Sequence, residues 1–244
     1  NINRNANEEY KIEHLKNAIF FDLDNSSDQE TDLPHMLPSK KYWEKIISKL
    51  GIHNDDNIVI YDNSDVISSC RCWYNFIFFN HNPKLVHVLD GGLKKWKLEN
   101  KKTTNILTSL KKTNYIANIN NHLVKNKLEI NRNVNSKEFI VVDARSKGRF
   151  QGTEPEPRKN TRSGSIPNSI CLPYKEFIND DGTFINKEKI KKKFASISKN
   201  NKKNLVFSCG SGVTASVLAL AYSLINITYM PTIYDGSWSE YGKI

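Results

Sequence analysis

The chain repeats one strand–helix–strand unit, and each copy of the unit closes on an Asp-Gly pair. In the first copy the apolar run 58–62 is followed by a helix-like stretch and by a second apolar run, 86–91. In the second copy the runs 205–209 and 231–236 are separated in the same way. Repeated units of this type predict the α/β class, because right-handed crossovers between parallel strands cover a sheet with helices. We therefore expect two tandem domains, each a parallel sheet flanked by helices.

The stretch between the copies sets the expected domain boundaries. It is polar and rich in Lys, Thr and Asn, and its apolar residues are isolated, as in a linker. We assign the linker to residues 106–113, the first domain to 1–105 and the second domain to 114–244. The first domain has no early strand that corresponds to 139–143 of the second. We therefore expect the first domain to be N-terminally incomplete and the sequence to be a fragment.

Cys209 follows a strand of the second copy and opens a glycine-bearing loop at the start of a helical pattern. Gly210 and Gly212 let the backbone turn so that several N–H groups point at the sulfur, and a helix N-terminus favours a thiolate. This arrangement is typical of a nucleophilic sulfur or of a sulfur that carries a second one as a persulfide. The alternative is a small buried cysteine before a helix. The predicted helix places six apolar residues on one stripe: Val213, Val217, Leu218, Ala221, Leu224 and Ile225.

Two neighbouring positions restrict the chemistry of this loop. A phosphatase with a Cys-x5-Arg loop needs an arginine where this chain has Ala215, so phosphoryl transfer is the weakest alternative. The first copy has Asp62 at the position of Cys209, and Asn-Ser-Asp follows it instead of glycines. We therefore predict that the first domain is non-catalytic and that the second domain carries the nucleophile.

Arg149 and Arg158 lie in a segment that contains glycine and proline, which predicts a shaped loop without helix. Two guanidinium groups in one loop suit a carboxylate and an adjacent carbonyl oxygen, because each presents a planar fork of donors. The alternative is that both arginines form surface salt bridges with Glu154 and Glu156.

His35 and Asp24 lie in the first domain. A neutral imidazole can move protons near pH 7, and a nearby carboxylate can orient it. The alternative for His35 is a surface or packing role beside Pro34.

Charge and hydropathy limit the partners. The chain has 36 Lys and Arg against 26 Asp and Glu, a formal net charge of +10. Because the lysines are spread along the chain, we expect no nucleic-acid partner, only a general attraction for small anions. No apolar run approaches the roughly 18 residues of a membrane span, and no signal-peptide pattern opens the chain. We expect no membrane association.

The cysteines show no pattern of metal ligands, and we expect neither a metal nor a cofactor. Sparse unpaired cysteines are typical of a reducing compartment. We predict the cytoplasm, or an organelle matrix if a targeting segment has been lost. The cysteines are Cys70, Cys72, Cys171 and Cys209.

Four separate motifs, in the same order, resemble those of 3-mercaptopyruvate sulfurtransferases, the two-domain enzymes related to rhodanese. The resemblance runs over nearly the whole chain, from about residue 15 to 242, and it implies two tandem rhodanese-like domains. The motifs are the loop 209–215, the segment 148–158, the His-Met-Leu-Pro segment within 32–38, and the Asp-Gly pairs that open 90–93 and 235–238.

The resemblance implies a role for each candidate residue. Cys209 is the nucleophile that becomes a persulfide, and Ser211, His35 and Asp24 form a proton relay beside it. Arg149 and Arg158 bind the substrate. The loop residues that complete the substrate-binding set are Gly210, Gly212, Val213 and Thr214.

The implied reaction moves sulfur from 3-mercaptopyruvate to cyanide or to a thiol such as thioredoxin or a small thiol, and releases pyruvate. One alternative is a rhodanese that prefers thiosulfate, although such enzymes usually carry basic residues inside the active loop. The other alternative is a non-catalytic sulfur carrier or binding module.

Overall fold

The computed structural model describes residues 4–198 and 203–244. The first copy of the repeat contains two parallel strands with helices around them. Its elements are α1 (Ala6–Ile12), α2 (Lys40–Lys49), β1 (Ile58–Ile60), α3 (Ser69–Phe78), β2 (Val86–Val88) and α4 (Gly92–Leu98), with a 3-10 turn at Pro83–Leu85.

The second copy contains a five-stranded sheet in the order β3-β7-β6-β4-β5, and all its strand pairs are parallel. The fold-class prediction is confirmed for both copies. The elements are β3 (Val124–Lys125), α5 (Lys127–Ser136), β4 (Ile140–Asp143), α6 (Lys147–Gln151), β5 (Ile170–Cys171), α7 (Lys187–Ser198), β6 (Leu205–Ser208), α8 (Val213–Ser223), β7 (Thr232–Tyr234) and α9 (Ser237–Tyr241), with 3-10 turns at Asn121–Leu123 and Tyr174–Phe177.

The two sheets bury their corresponding strands to different extents. Strand β6 lies between β4 and β7, and Val206 within it is 1% exposed. Strand β1 pairs with β2 alone among the described residues, and Val59 is 59% exposed. Because β6 has neighbours on both sides, the residue that follows it is held at the middle of one edge of the sheet, which suits a site that needs fixed geometry.

Helices α3 and α8 pack against each other and join the two copies. Every residue of α3 is buried, and α8 is buried on nearly its whole circumference, including Ala215, Ser216 and Ala219 outside the predicted stripe. The predicted single stripe is therefore too narrow, because α8 has the sheet on one side and α3 on the other. It is also too long, since α8 ends at Ser223 and Leu224 is 38% exposed.

The segment 148–158 departs from the predicted loop. Its first residues belong to α6, a single helical turn over Lys147–Gln151. The side chain of Ser146 accepts a hydrogen bond from the Arg149 amide at 3.3 Å, and Gly152 ends the turn with φ of 80°. A polar N-cap and a left-handed glycine are sufficient to bracket one turn before the prolines begin. The prediction of a loop is correct only after Gly152.

The predicted linker 106–113 contains neither helix nor strand, and Ile106, Leu107 and Leu110 are exposed. The chain that follows it runs along the first copy. The amide of Tyr115 donates to Ser48 Oγ at 2.9 Å, and the amide of Asn118 donates to the carbonyl of Phe79 at 3.1 Å. The boundaries at 105 and 114 therefore remain a prediction.

Candidate active site

Cys209 lies at the carboxyl end of β6 and is 2% exposed. The Ser211 amide lies 3.4 Å from its sulfur. Two other loop amides do not face the sulfur, because Cys209 N and Gly212 N donate to Ser237 Oγ at 3.2 and 3.1 Å. The expectation that several loop amides point at the sulfur is therefore wrong for these two.

The segment after β7 forms hydrogen bonds with the loop that begins at Cys209. Ser237 Oγ donates to the carbonyl of Tyr234 at 2.8 Å, so its lone pairs are aimed at the loop amides. The amides of Trp238 and Ser239 donate to the carbonyls of Cys209 and Gly210, each at 2.9 Å. Sequence reasoning noticed this segment only as a motif, and its Asp-Gly-Ser-Trp pattern was the available signal for the role of Ser237.

Gly212 lets the loop enter α8, since its φ of 78° is in the left-handed region. It provides no capping side chain, and none of the described side chains caps the helix in its place. The amides at the start of α8, from Val213 and Thr214, have no intrahelical acceptor and carry the positive end of the helix dipole. They are therefore suited to hold an anionic sulfur or substrate oxygen.

The structure brings His35 and Asp24 from the first copy to the loop of the second. His35 Nδ1 lies 2.8 Å from Ser211 Oγ, and His35 Nε2 lies 3.0 Å from Asp24 Oδ1. The carboxylate can only accept, so Nε2 carries the proton and Nδ1 accepts from the Ser211 hydroxyl. The His35 side chain is mostly buried, whereas that of Asp24 is 83% exposed.

The surroundings of His35 keep its imidazole neutral. Burial lowers the pKa of His35 below its ordinary value, and the positive charges of Arg71 and Arg158 lower it further. The charge of Asp24 raises the pKa, but the net direction is downward. A neutral imidazole with an unprotonated Nδ1 can take a proton from Ser211 at neutral pH.

Both predicted substrate arginines lie beside the cysteine loop. Arg158 Nη2 donates to Ser211 Oγ at 3.0 Å. A methyl group on Gly210 would lie 2.9 Å from Arg158 Nη1 and 3.2 Å from Arg149 Nη2, so the glycine makes room for both guanidinium groups. Burial lowers the pKa of Arg158, while Cys209 acts in the opposite direction. An arginine remains a cation under this shift.

Arg149 also pairs with Glu156, as the salt-bridge alternative anticipated, but the pair is not on the surface. The Glu156 side chain is 1% exposed, and its Oε2 lies 2.6 Å from Arg149 Nη2. Its other oxygen, Oε1, lies 2.7 Å from Arg145 Nη1. Arg145 is buried and is held by Asp143 and by the ring of Trp238. Sequence reasoning missed Arg145, although an Asp-x-Arg pattern closes β4.

Asp62 occupies the corresponding position of the first copy, where it offers a carboxylate instead of a thiol. Its Oδ2 accepts hydrogen bonds from the Ser69 amide at 3.2 Å and from the hydroxyls of Ser68 and Ser64 at 3.0 and 2.6 Å. The carboxylate therefore caps the start of α3. A cavity of about 430 Å³ lies beside Asp62, and a smaller one of about 270 Å³ lies beside Asp24 and His35. Side-chain chemistry, and not cavity size, identifies the site.

The other three cysteines are poor nucleophiles. All four cysteines are free in the described part of the chain. Burial raises the pKa of Cys70 and of Cys72, and it raises the pKa of Cys171 to about 11. These thiols stay protonated at neutral pH, and the thiolate is the reactive form.

Two kinds of feature are absent from residues 4–198 and 203–244. Within these ranges, no cluster of three or more His, Cys, Asp or Glu side chains is arranged to hold a metal ion. None of the helices in these ranges has both the length and the apolar character required to span a bilayer.

The fold is a tandem α/β protein with a thiol site between its two copies. The thiol follows the central strand of one copy and opens a glycine loop that leads into a helix, and the other copy contributes a histidine. Residues 4–99 and 126–243 both match the model of the rhodanese-like domain. The chain belongs to the rhodanese family.

Proteins that are named as sulfurtransferases match nearly the whole chain. A mitochondrial thiosulfate/3-mercaptopyruvate sulfurtransferase of Arabidopsis thaliana is 38% identical over 98% of this chain and 68% of its own length. A 3-mercaptopyruvate sulfurtransferase of Mus musculus is 36% identical over 98% of this chain and 80% of its own length. The crystal structure of SseA from Escherichia coli, described with 3-mercaptopyruvate sulfotransferases, superimposes with a TM-score of 0.85 at 28% identity and covers 96% of this chain and 87% of that one.

Proposed function

We propose that this chain is a sulfurtransferase that moves sulfur from 3-mercaptopyruvate, through a persulfide on Cys209, to a thiol or to cyanide. The observation that carries the proposal is the hydrogen-bonded series Asp24–His35–Ser211, which starts in one copy and ends two residues from Cys209 in the other. A buried structural cysteine has no need of such a series. The names of the Arabidopsis and mouse relatives support the same reaction.

Arg149 and Arg158 are proposed to hold the 2-oxo acid. Both guanidinium groups lie against Gly210, on the side of the loop that also carries Ser211. A carboxylate and the adjacent carbonyl oxygen provide the planar acceptors that guanidinium forks bind well. The same cations would stabilise the negative charge that develops on the oxygen as the substrate reacts.

In the first half-reaction, the Cys209 thiolate attacks the sulfur of 3-mercaptopyruvate. A bond forms between Sγ and the donor sulfur, the C3–S bond breaks, and its electron pair stays on C3 as the pyruvate enolate. C3 gains one proton and the donor thiol loses one, so protons balance. Ser211 and His35 would pass these protons, since the Ser211 hydroxyl donates to a neutral imidazole.

In the second half-reaction, the acceptor attacks the outer sulfur of the persulfide. The S–S bond breaks and returns its electron pair to Cys209, so no outside oxidant or reductant takes part. The persulfide anion would rest against the Ser211 amide and the first turn of α8. Because a covalent intermediate separates the halves, ping-pong kinetics are expected.

Thiosulfate is the competing donor, and the name of the Arabidopsis relative includes it. The loop residues Gly210, Ser211 and Gly212 are neutral, which favours a carboxylate held by the flanking arginines over a dianion held by the loop. A non-catalytic sulfur carrier would retain Cys209 without needing the His35 relay.

We propose a reducing compartment for the protein, either the cytoplasm or an organelle matrix. Four free cysteines fit such a compartment. A small thiol or thioredoxin would be the acceptor there. With Cys209 only 2% exposed, the acceptor sulfur must reach a thiol that is buried in the described structure.

The deciding experiment measures both half-reactions with both donors. The protein is mixed with 3-mercaptopyruvate or thiosulfate, the sulfur added to Cys209 is detected by intact mass, and turnover is followed with cyanide as acceptor. We expect the persulfide with both donors and a higher kcat/KM for 3-mercaptopyruvate. A preference for thiosulfate would instead support the rhodanese alternative, and no persulfide from either donor would support the carrier or binding-module alternative.

A further inference from the structure

Arg71 is a fully buried arginine of the first copy that reaches the active site of the second. It lies on α3, and its Nη2 donates to Asp235 Oδ1 at 2.7 Å and to the carbonyl oxygen of His35 at 2.6 Å. A buried guanidinium is costly to desolvate, so it needs close partners. One of its partners is the backbone of the relay histidine itself.

Asp235 belongs to the other copy and contacts both Arg71 and the segment that carries His35. It follows β7, and its second oxygen, Oδ2, accepts a hydrogen bond from the Leu37 amide at 2.8 Å. Arg71 and Asp235 therefore hold the backbone on both sides of one short segment, at the carbonyl of His35 and at the amide of Leu37.

The segment held in this way has an unfavourable backbone. His35 has φ of 61°, in the left-handed region that residues with a Cβ seldom adopt. Such a conformation persists only when the surrounding contacts determine it, and it is found most often at functional sites. Rotating His35 back to an ordinary φ would move its ring away from Ser211, because the ring direction follows the backbone.

We propose that Arg71 and Asp235 are positioning residues that hold His35 in this conformation, so that its ring meets Ser211 and Asp24 together. The inference rests on the proposed sulfurtransfer function, in which His35 moves protons. Neither residue touches the reacting sulfur in the described structure, and both act through His35.

Arg71 has a second effect, through its charge. Its Nε and Nη1 have no hydrogen-bond partner among the described residues, and Nη1 lies 2.7 Å from the position of a methyl group on Gly212. A cation buried against the His35 backbone favours the neutral ring, and it lowers the pKa of His35. The charged groups that act on the His35 ring are Asp24 from its own segment, Arg71 from α3 and Arg158 after α6. Asp235 after β7 contacts Arg71 and the Leu37 amide.

The test compares Arg71→Met, Arg71→Lys and Asp235→Asn with Cys72→Ser, a buried change on the same helix whose side chain is not among those that face His35. NMR titration of the His35 ring needs no substrate, so its result does not depend on whether the proposed reaction is correct. We expect Arg71→Met to raise the pKa of His35, Arg71→Lys to return it towards the wild-type value, and Cys72→Ser to leave it unchanged.

Steady-state kinetics gives the second readout. Arg71→Met and Asp235→Asn should lower kcat roughly 10- to 100-fold with little change in KM, because they misplace a proton-transfer group and leave the substrate arginines intact. Because Asp235→Asn is nearly isosteric, it provides the kinetic test if the Arg71→Met protein does not fold. An unaltered His35 titration together with an unaltered kcat in a folded Asp235→Asn protein would overturn the inference. A kcat loss no greater than that of an equally destabilised Cys72→Ser protein would overturn it as well.

Discussion

Arg149 and Glu156 make a two-point contact, in which Arg149 Nε lies 3.1 Å from Oε1 and Nη2 lies 2.6 Å from Oε2. The contact fixes the plane of the guanidinium group beside Gly210. Because Glu156 is buried and also paired with Arg145, the arginine cannot swing into solvent without leaving a buried carboxylate short of one partner. One of the two arginines proposed to bind the substrate is thus oriented before the substrate arrives.

Cys209 is expected to be the only essential thiol. Cys209→Ser should abolish both persulfide formation and pyruvate release, since a hydroxyl cannot carry the sulfur. Cys171→Ser should keep turnover near the wild-type rate, because burial keeps its thiol protonated. Intact mass after donor addition and a pyruvate assay check both variants. Persistent activity in Cys209→Ser would contradict the mechanism.

Loss of either substrate arginine should weaken use of 3-mercaptopyruvate selectively. Arg158→Ala and Arg149→Ala each remove a charge-assisted contact worth roughly 1.5–3 kcal/mol, which corresponds to about a 10- to 150-fold loss in kcat/KM. Thiosulfate turnover should fall much less. Parallel assays with the two donors measure the ratio, and equal losses for both donors would favour a thiosulfate-specific site.

Glu156→Gln should weaken the two-point contact that orients the Arg149 guanidinium group. The change removes a buried negative charge that neutralises two cations, but it keeps one oxygen acceptor, so we expect a loss of about 1–3 kcal/mol in the free energy of unfolding. KM for 3-mercaptopyruvate should rise because Arg149 is no longer oriented. Urea denaturation and steady-state kinetics report the two effects. Glu188→Gln, in an exposed pair with Lys191, is the matched control and should change neither.

The pH dependence should report the neutral state of His35. Its pKa lies below the ordinary value of 6.5, so kcat/KM should hold as pH falls through 6.5 and decline only at lower pH. Stability should depend on pH in the same direction as activity. The folded protein resists protonation of His35, so this contribution to the free energy of unfolding is complete above pH 6.5 and decreases as pH falls below 6.5. A pH–rate profile and melting temperatures at several pH values test this. An acid limb centred above 6.5 would contradict it.

Asp24→Asn tests the outer end of the relay. Removing this charge should lower the pKa of His35 and move the acid limb of the pH profile to still lower pH. Since the Asp24 side chain is 83% exposed and screened by solvent, we expect less than about a 10-fold loss in kcat. A pH–rate profile of the variant beside the wild type measures both. A loss as large as that of a His35→Ala variant would mean that the exposed carboxylate does more than orient the ring.

The sequence was sufficient for those parts of the site that depend on local pattern. The strand before Cys209, the glycines after it and the duplicated Asp-Gly pairs are all short-range features, and the resemblance between motifs joined His35 to Ser211. The turn of α6 was missed because one N-cap and one glycine outweighed the nearby prolines. The motif 235–238 was noticed, but the roles of Ser237 and Asp235 within it, and that of Arg71, arise from contacts between distant segments, which the motif alone does not specify.

The hydrogen bond between His35 and Ser211 joins the two copies beside the packed pair α3 and α8. The geometry of a hydrogen bond between side chains of the two copies depends on how closely the copies are held together. Gentle loosening of this interface, by dilute urea or by warming below the melting temperature, should therefore stop turnover while both sheets remain intact. We therefore expect turnover to respond to a change in the packing between the two copies before either sheet unfolds.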